Sequence, residues 1–212
     1  MRVNPIIDAI RFLTDSPLFY VFDLLVIASL VIVAINLQRD PAQRSIKDLS
    51  MFALRFVMGC MWWQQSLWKL PPTYTDRPDG TGGLHDWVSK MVDGAAFHIQ
   101  SDFVQYIVLP HFQVFAPMVY AIEVLIGASL ITGTAVRLFS LLGAAMAINL
   151  WLGLYRTPYE WPWTYVFLIA AQLLFFILDA GRSLGGDALI ARRLERTHAR
   201  YGLGSRILAL IT

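Results

Sequence analysis

Cysteine is almost missing: Cys60 is the only one in 212 residues. Its solitude excludes an internal disulfide, a CxxC redox pair and a thiolate cluster within the chain. Charge is scarce too, at 15% of residues, where a soluble domain carries about 25%. The chain is 57% hydrophobic with a mean hydropathy of +0.54. Its 17 Lys and Arg and 15 Asp and Glu cannot cover that much apolar surface in water, which argues against a cytoplasmic enzyme, a nucleic-acid binder or a disordered tail. No GxGxxG nucleotide fingerprint, iron–sulfur ligand set or pair of membrane histidines for a haem is present. A cleavable leader is not expected, because charges at positions 2, 8, 11 and 15 interrupt the apolar stretch it would need.

Long hydrophobic runs are what the chain has instead. Crossing a hydrocarbon core of about 30 Å takes about 20 apolar residues, and five runs reach that length: 17–37, 49–70, 112–133, 135–155 and 161–181. Runs of this length are too long for barrel strands, and lipid demands that every backbone polar group be satisfied, so all five are expected to be helices. The expected fold is all-α, a bundle of five transmembrane helices with amphipathic surface helices. Ten basic residues, among them Arg39, Arg44, Lys47, Arg137, Arg182, Arg192 and Arg193, fall on one side. The other side has Arg2, Arg11, Arg77, Lys90 and Arg156. The basic side stays cytoplasmic, placing the C-terminus inside and the N-terminus outside.

Three regions follow: a segment 1–48 with the first span and a basic loop, a four-helix membrane domain 49–187 with an external loop 71–102, and a basic amphipathic tail 188–212. In the loop, Leu84, Trp87, Val88, Met91 and Val92 recur at helical spacing opposite Asp86, Lys90 and Asp93, as in a short helix on the membrane surface. The tail alternates Leu189, Ile190 and Leu194 with Arg192, Arg193, Arg196 and Arg200. It suits anionic headgroups, and equally a partner subunit.

Ionisable residues at membrane depth are costly and mark functional sites by default. In the second run Arg55, Gly59, Trp62, Ser66 and Lys69 are spaced 4, 3, 4 and 3 apart, one face of a helix. The third run places Glu123 beside Gly127, with Tyr120 one turn away. Arg55 is the expected counter-ion of Glu123, and Arg137, Asp179, Arg182 and Asp187 are expected to tie the inner edge by ion pairs. In the outer half Trp62, Trp63, Gln64, Gln65, Trp68, Lys69, Asn149, Trp151 and Tyr155 gather near one level. Aromatic rings, amides and one ammonium suit a flat polar-headed molecule such as a quinone. Against this, Trp and Tyr are enriched at any membrane interface, and a lysine there can snorkel to water. The candidate binding set is Arg55, Trp62, Gln65, Lys69 and Glu123; no catalytic residue is assigned. Ser66-Leu67-Trp68-Lys69 matches SxxK but lacks that motif's companions. His85, Asp86, Asp93 and His98 fit no metal-ligand pattern, so no metal is expected. His111 reads as an ordinary interfacial histidine and Cys60 as a small core residue.

The stretches LRFVMGCMWWQQSLWKL, IEVLIGASLITGTAVRL and LDAGRSLGGDAL resemble the three landmarks of the DoxX and DoxD family of small membrane proteins. The resemblance falls on Arg55, Gly59 and Lys69, then Glu123, Gly127, Gly133 and Arg137, then Gly181, Arg182, Gly185 and Asp187. It covers about residues 49–189. The chain departs from the family by its added N-terminal span and by Ser66, where glycine is commoner. The resemblance implies a four-helix core in a bacterial inner (cytoplasmic) membrane and a DoxD-like part in thiosulfate:quinone oxidoreductase. It implies a quinone and partner membrane subunits. Lacking any electron-carrying group of its own, such a chain would supply a quinone slot, with Arg55 or Lys69 polarising a carbonyl and Glu123 relaying a proton. The competing expectation is a non-catalytic accessory subunit of a larger respiratory or photosynthetic complex.

Overall fold

The computed structural model describes residues 4–196 apart from 76, 78 and 80; the expected tail beyond Arg196, with Arg200 and Arg206, lies outside them. The described residues form helices and turns with no strand. In chain order the helices are α1 (Pro5–Asp15), α2 (Phe19–Arg39), α3 (Ile46–Leu67), α4 (Leu84–Gly94), α5 (His98–Phe103), α6 (Phe112–Thr132), α7 (Val136–Gly153), α8 (Pro162–Ile177) and α9 (Gly186–Arg196).

Local chemistry sets the boundaries. Ser45 caps α3, accepting the Asp48 amide at 3.1 Å, and Asp48 places a negative charge in the first turn, where the helix dipole favours it. Pro71 and Pro72 stop the chain from continuing the helix. Gly133 ends α6 in the left-handed region at φ 73°, the conformation glycine adopts without penalty. Pro162 opens α8, where its missing N–H costs nothing.

Three helices, α2, α6 and α7, are long and apolar enough to cross a bilayer. The chain is therefore an integral membrane protein in contact with lipid, as its outward-facing Leu24, Ile27 and Leu30 on α2 and Phe167 on α8 require. Expected run 49–70 becomes α3, with 22 residues. Run 161–181 is shorter than expected: α8 has 16 residues, about 24 Å at 1.5 Å each, because the chain turns through a left-handed Asp179 and a short 3₁₀ turn before α9.

The tightest associations are α3 with α6 and α7 with α8. A central core of Met51, Trp62, Ile126, Leu130, Val136 and Phe175 joins these four helices. A second core, at the loop end, packs Leu84, Val88 and Met91 against Val104, Ala116 and Leu154. This corrects the expected surface helix: α4 exists, but its apolar face is buried against the bundle, leaving Asp86 and Lys90 outside as an ion pair at 3.0 Å. The loop also continues into helix, since α5 and a π-type turn over Val104–Val108 precede α6. The third core, Phe22, Trp63, Leu67 and Ile131, attaches α2.

Candidate functional site

The geometry of the site starts from two glycines. A Cβ on Gly59 would lie 2.7 Å from the Ile131 amide nitrogen, and one on Gly127 3.0 Å from that of Trp63. Bare backbone therefore meets bare backbone where antiparallel α3 and α6 cross, as small residues allow in membrane helices. The contact fixes register: 59 faces 131 and 63 faces 127, which puts Glu123 opposite 67. Arg55 is twelve residues from that level, about 18 Å along the axis.

The expected Arg55–Glu123 ion pair is therefore not formed. Lys69 is the partner: its Nζ donates to both carboxylate oxygens of Glu123, and both side chains are buried. Runs 49–70 and 112–133 laid side by side with their inner ends level would bring Arg55 near Glu123, but the glycine crossing displaces them along each other by several residues. Lys69 Nζ also lies 4.5 Å from the centre of the Trp68 ring, a cation–π contact strengthened by the shortage of water. A Lys ammonium has three donors. Glu123 occupies two of them, and the Trp68 ring lies beside the ammonium.

Arg55 has a different role. It is fully buried, and its Nη1 donates to the Leu130 carbonyl, with Ile131 O at 3.5 Å. These carbonyls close α6, where the helix dipole is negative and four acceptors lack helical partners. Gly133 lets the guanidinium in, since a Cβ there would sit 2.7 Å from Arg55 Nη1 and 2.5 Å from Gly185 Cα. Asp187 completes the joint. Its carboxylate accepts the Ala135 and Val136 amides at 2.6 and 3.0 Å, capping α7 from another helix. Burial pushes its pKa up to about 6, an effect the two amides, Arg55 and Arg182 only partly offset. At this edge Arg137 and Asp179 do pair, at 3.3 Å, whereas Asp187 binds backbone instead.

The remaining candidates divide. Trp62 is buried in the central core beside Ile126, one turn from Glu123, and its Nε1 has no partner. Gln65 is exposed and accepts the Trp68 indole N–H at 3.2 Å. Trp63 turns toward α2 and Phe22, with ring centroids 6.0 Å apart. Asn149 bonds Gln100 at 2.8 Å, and Trp151 sits edge-on to Tyr155. The expected outer aromatic set is thus spread over several faces. Ser66 donates to Trp63 O at 2.7 Å.

Sequence reading passed over several buried polar residues, Ser29, Asn36 and Gln172 among them. Ser29 donates to Ile131 O at 2.7 Å and Asn36 to Gly185 O at 3.0 Å, so α2 helps to close the ends of α6 and the 178–189 segment. Phe22, Ser29 and Asn36 recur every seven residues, a spacing that marks one face and could have revealed them. Gln172, fully buried against Gly143, has no side-chain partner; a lone amide in an apolar run was its only signal.

These features define a class, a helical membrane protein built on a crossed α3–α6 pair with a buried lysine–carboxylate bond at one end and a buried arginine at the other. The chain belongs to the DoxD family: residues 50–211 match the family described as the TQO small subunit DoxD. It is a small-subunit-like membrane protein of the thiosulfate:quinone oxidoreductase type, a family whose members serve as subunits of a complex. No curated protein and no solved structure matches it.

Proposed function

We propose that this chain is the quinone-facing membrane subunit of a thiosulfate:quinone oxidoreductase, and that Lys69, Glu123 and Trp68 receive the quinone headgroup. The observation that carries the reading is the buried Lys69–Glu123 bond beside an indole face. An ion pair at that depth costs more in lost hydration than a packed apolar pair would. Chemistry supplies a reason to keep it. The spare Lys69 donor polarises a quinone carbonyl, Trp68 offers a flat surface to the ring, and Glu123 holds the ammonium in place and exchanges protons with it. Trp62, with its unpartnered indole N–H one turn away, extends the polar lining inward. Arg55 has no part in this slot. The electrons come from thiosulfate through a partner subunit.

In this reading the chain crosses the bilayer five times, through α2, α3, α6, α7 and α8, in a bacterial inner membrane. The Lys69 end lies outside and the Asp187 end, with α9, in the cytoplasm.

The test is quinone content. The full chain, extracted in mild detergent, should carry co-purified quinone and bind decylubiquinone with quenching of tryptophan fluorescence. Glu123→Gln, which keeps shape, and Lys69→Met should each weaken binding at least tenfold in protein that still folds. Should either fail to fold, Trp68→Leu takes its place with the same expected loss. Equal binding in all variants, or no quinone in the wild type, overturns the slot and leaves the accessory-subunit reading.

A further inference from the structure

We infer that the turn joining α2 to α3 is a binding site for the headgroup of an anionic phospholipid, seated on Arg39, Arg44 and Lys47. The inference rests on α3 crossing the bilayer and not on the quinone slot. The turn sorts its polar side chains by sign. Asn36 donates to Gly185 O at 3.0 Å, Gln43 accepts the Leu184 amide at 2.8 Å, and Asp48 accepts the Ser183 hydroxyl at 2.8 Å. Asp40 accepts the Ala42 amide at 3.2 Å, capping a short 3₁₀ turn, Pro41–Arg44, and pairs with Arg192 of α9 at 3.5 Å. Both carboxylates between residues 36 and 49 are therefore engaged, and the whole turn is pinned to α9 and the segment before it. Its three cations are left on the outer surface. Arg39 and Lys47 are exposed and form no ion pair among the described residues. Arg44, also exposed, is held by its own chain: Nε and Nη2 donate to the Leu37 carbonyl at 3.3 and 3.0 Å. A carbonyl fixes a guanidinium in place without cancelling its charge.

The apolar residues beside the cations identify the occupant. Ile46, between Arg44 and Lys47, is 84% exposed, an apolar side chain standing out at the level of the charges, as in segments that lie at a membrane interface. Lys47, Leu54 and Met61 are spaced seven apart and so line one side of α3, with Val57 beside them. Leu54, Val57 and Met61 are all exposed. Asp48 and Arg55, each one position further on, share the side that bonds Ser183 and α6. From Lys47 to Met61 is about 21 Å at 1.5 Å per residue, more than one leaflet's half of a core of about 30 Å. A cluster of cations above an apolar track of that length matches a phosphate above its acyl chain. A free anion would use the cations and leave the track uncovered. Arg192, which the sequence offered to headgroups, is drawn inward by Asn36 and Asp40, and by neutralising Asp40 it leaves Arg39 and Arg44 without an acidic neighbour.

The test is lipid selectivity. The full chain in mild detergent is titrated with dioleoylphosphatidylglycerol and, separately, with dioleoylphosphatidylcholine, and bound lipid is counted by native mass spectrometry. The wild type should take up phosphatidylglycerol at a concentration at least tenfold lower. Each cation at an anionic surface contributes about fivefold, so Arg44→Gln should cut the preference about fivefold, and Arg39→Gln, Arg44→Gln and Lys47→Gln together should abolish it. Lys90→Gln and Arg156→Gln, at the loop end, should leave the preference intact. Should the triple variant fail to insert, Arg44→Gln carries the test alone. Equal uptake of the two lipids by the wild type overturns the site, and so does an unchanged preference in Arg44→Gln. An equal loss in Lys90→Gln or Arg156→Gln also overturns it, because overall charge would then be enough. Displacement of phosphatidylglycerol by millimolar inorganic phosphate does the same, since a free anion would then suffice. Quinone binding, at the other end of the molecule, should be the same in Arg44→Gln as in the wild type.

Discussion

Lys69 and Glu123 each make the other tolerable. Removing one leaves a buried charge without its partner, a change that costs about 3–5 kcal/mol, whereas replacing both by apolar side chains is often neutral. Glu123→Ala and Lys69→Met should therefore each lower the thermal midpoint of the detergent-solubilised protein, and Lys69→Met with Glu123→Met should restore it while still failing to bind quinone. Asp187 makes a pH prediction. Its folded pKa, about 6, lies above the value of about 3.9 expected in an unfolded chain, so the folded state holds the proton more tightly. The stability this gives is full below about pH 4, is lost as pH rises to about 6, and changes no further above that. Midpoints measured from pH 4 to pH 7 should fall along that interval in the wild type, and Asp187→Asn should remove this part of the slope.

Among the elements, the α3–α6 crossing governs the site, because its two glycines set how far one helix is displaced along the other. Gly59→Leu places a side chain where 2.7 Å separates a Cβ from the Ile131 backbone. The helices must part or slide, and the Lys69–Glu123 bond is expected to break with them. The variant should lose quinone binding as thoroughly as Glu123→Gln although it touches neither charge. Gly133→Ala adds a strained left-handed alanine to a clash with Arg55 and Gly185, and should lower the midpoint without selective loss of binding. Helix periodicity in the sequence already placed Arg55, Gly59, Trp62, Ser66 and Lys69 on one face. It could not say which carboxylate met which cation, since that depends on the offset of two separate helices.

For the molecule as a whole, the number of crossings fixes where the termini lie. Five crossings put the two termini on opposite sides. Reporter fusions at the N- and C-termini should accordingly give opposite signals, and the same side for both would remove the five-span reading. A second consequence concerns α2, which precedes the family match beginning at residue 50. Ser29 and Asn36 bond the end of α6 and the 178–189 segment, and Arg192 of α9 bonds Asn36 and pairs with Asp40 at 3.5 Å. Deleting residues 1–40 should thus destabilise the remaining domain by leaving these buried acceptors unsatisfied, each worth about 1–3 kcal/mol. A truncated chain with the full-length midpoint would show α2 to be only an appended anchor.

Composition and periodicity by themselves determined that this chain is helical, lives in a membrane and carries its ionisable residues on the inner faces of α3 and α6. Those properties follow from the cost of exposing backbone or charge to hydrocarbon, which every residue meets locally. Only the tertiary structure decided that Glu123 belongs to Lys69, that Arg55 closes α6 instead, that Asp187 caps α7, and that α4 turns its apolar face to the bundle. Each of these rests on the register and separation of elements far apart in the chain, set by backbone contacts at glycines that hydrophobic patterns do not encode.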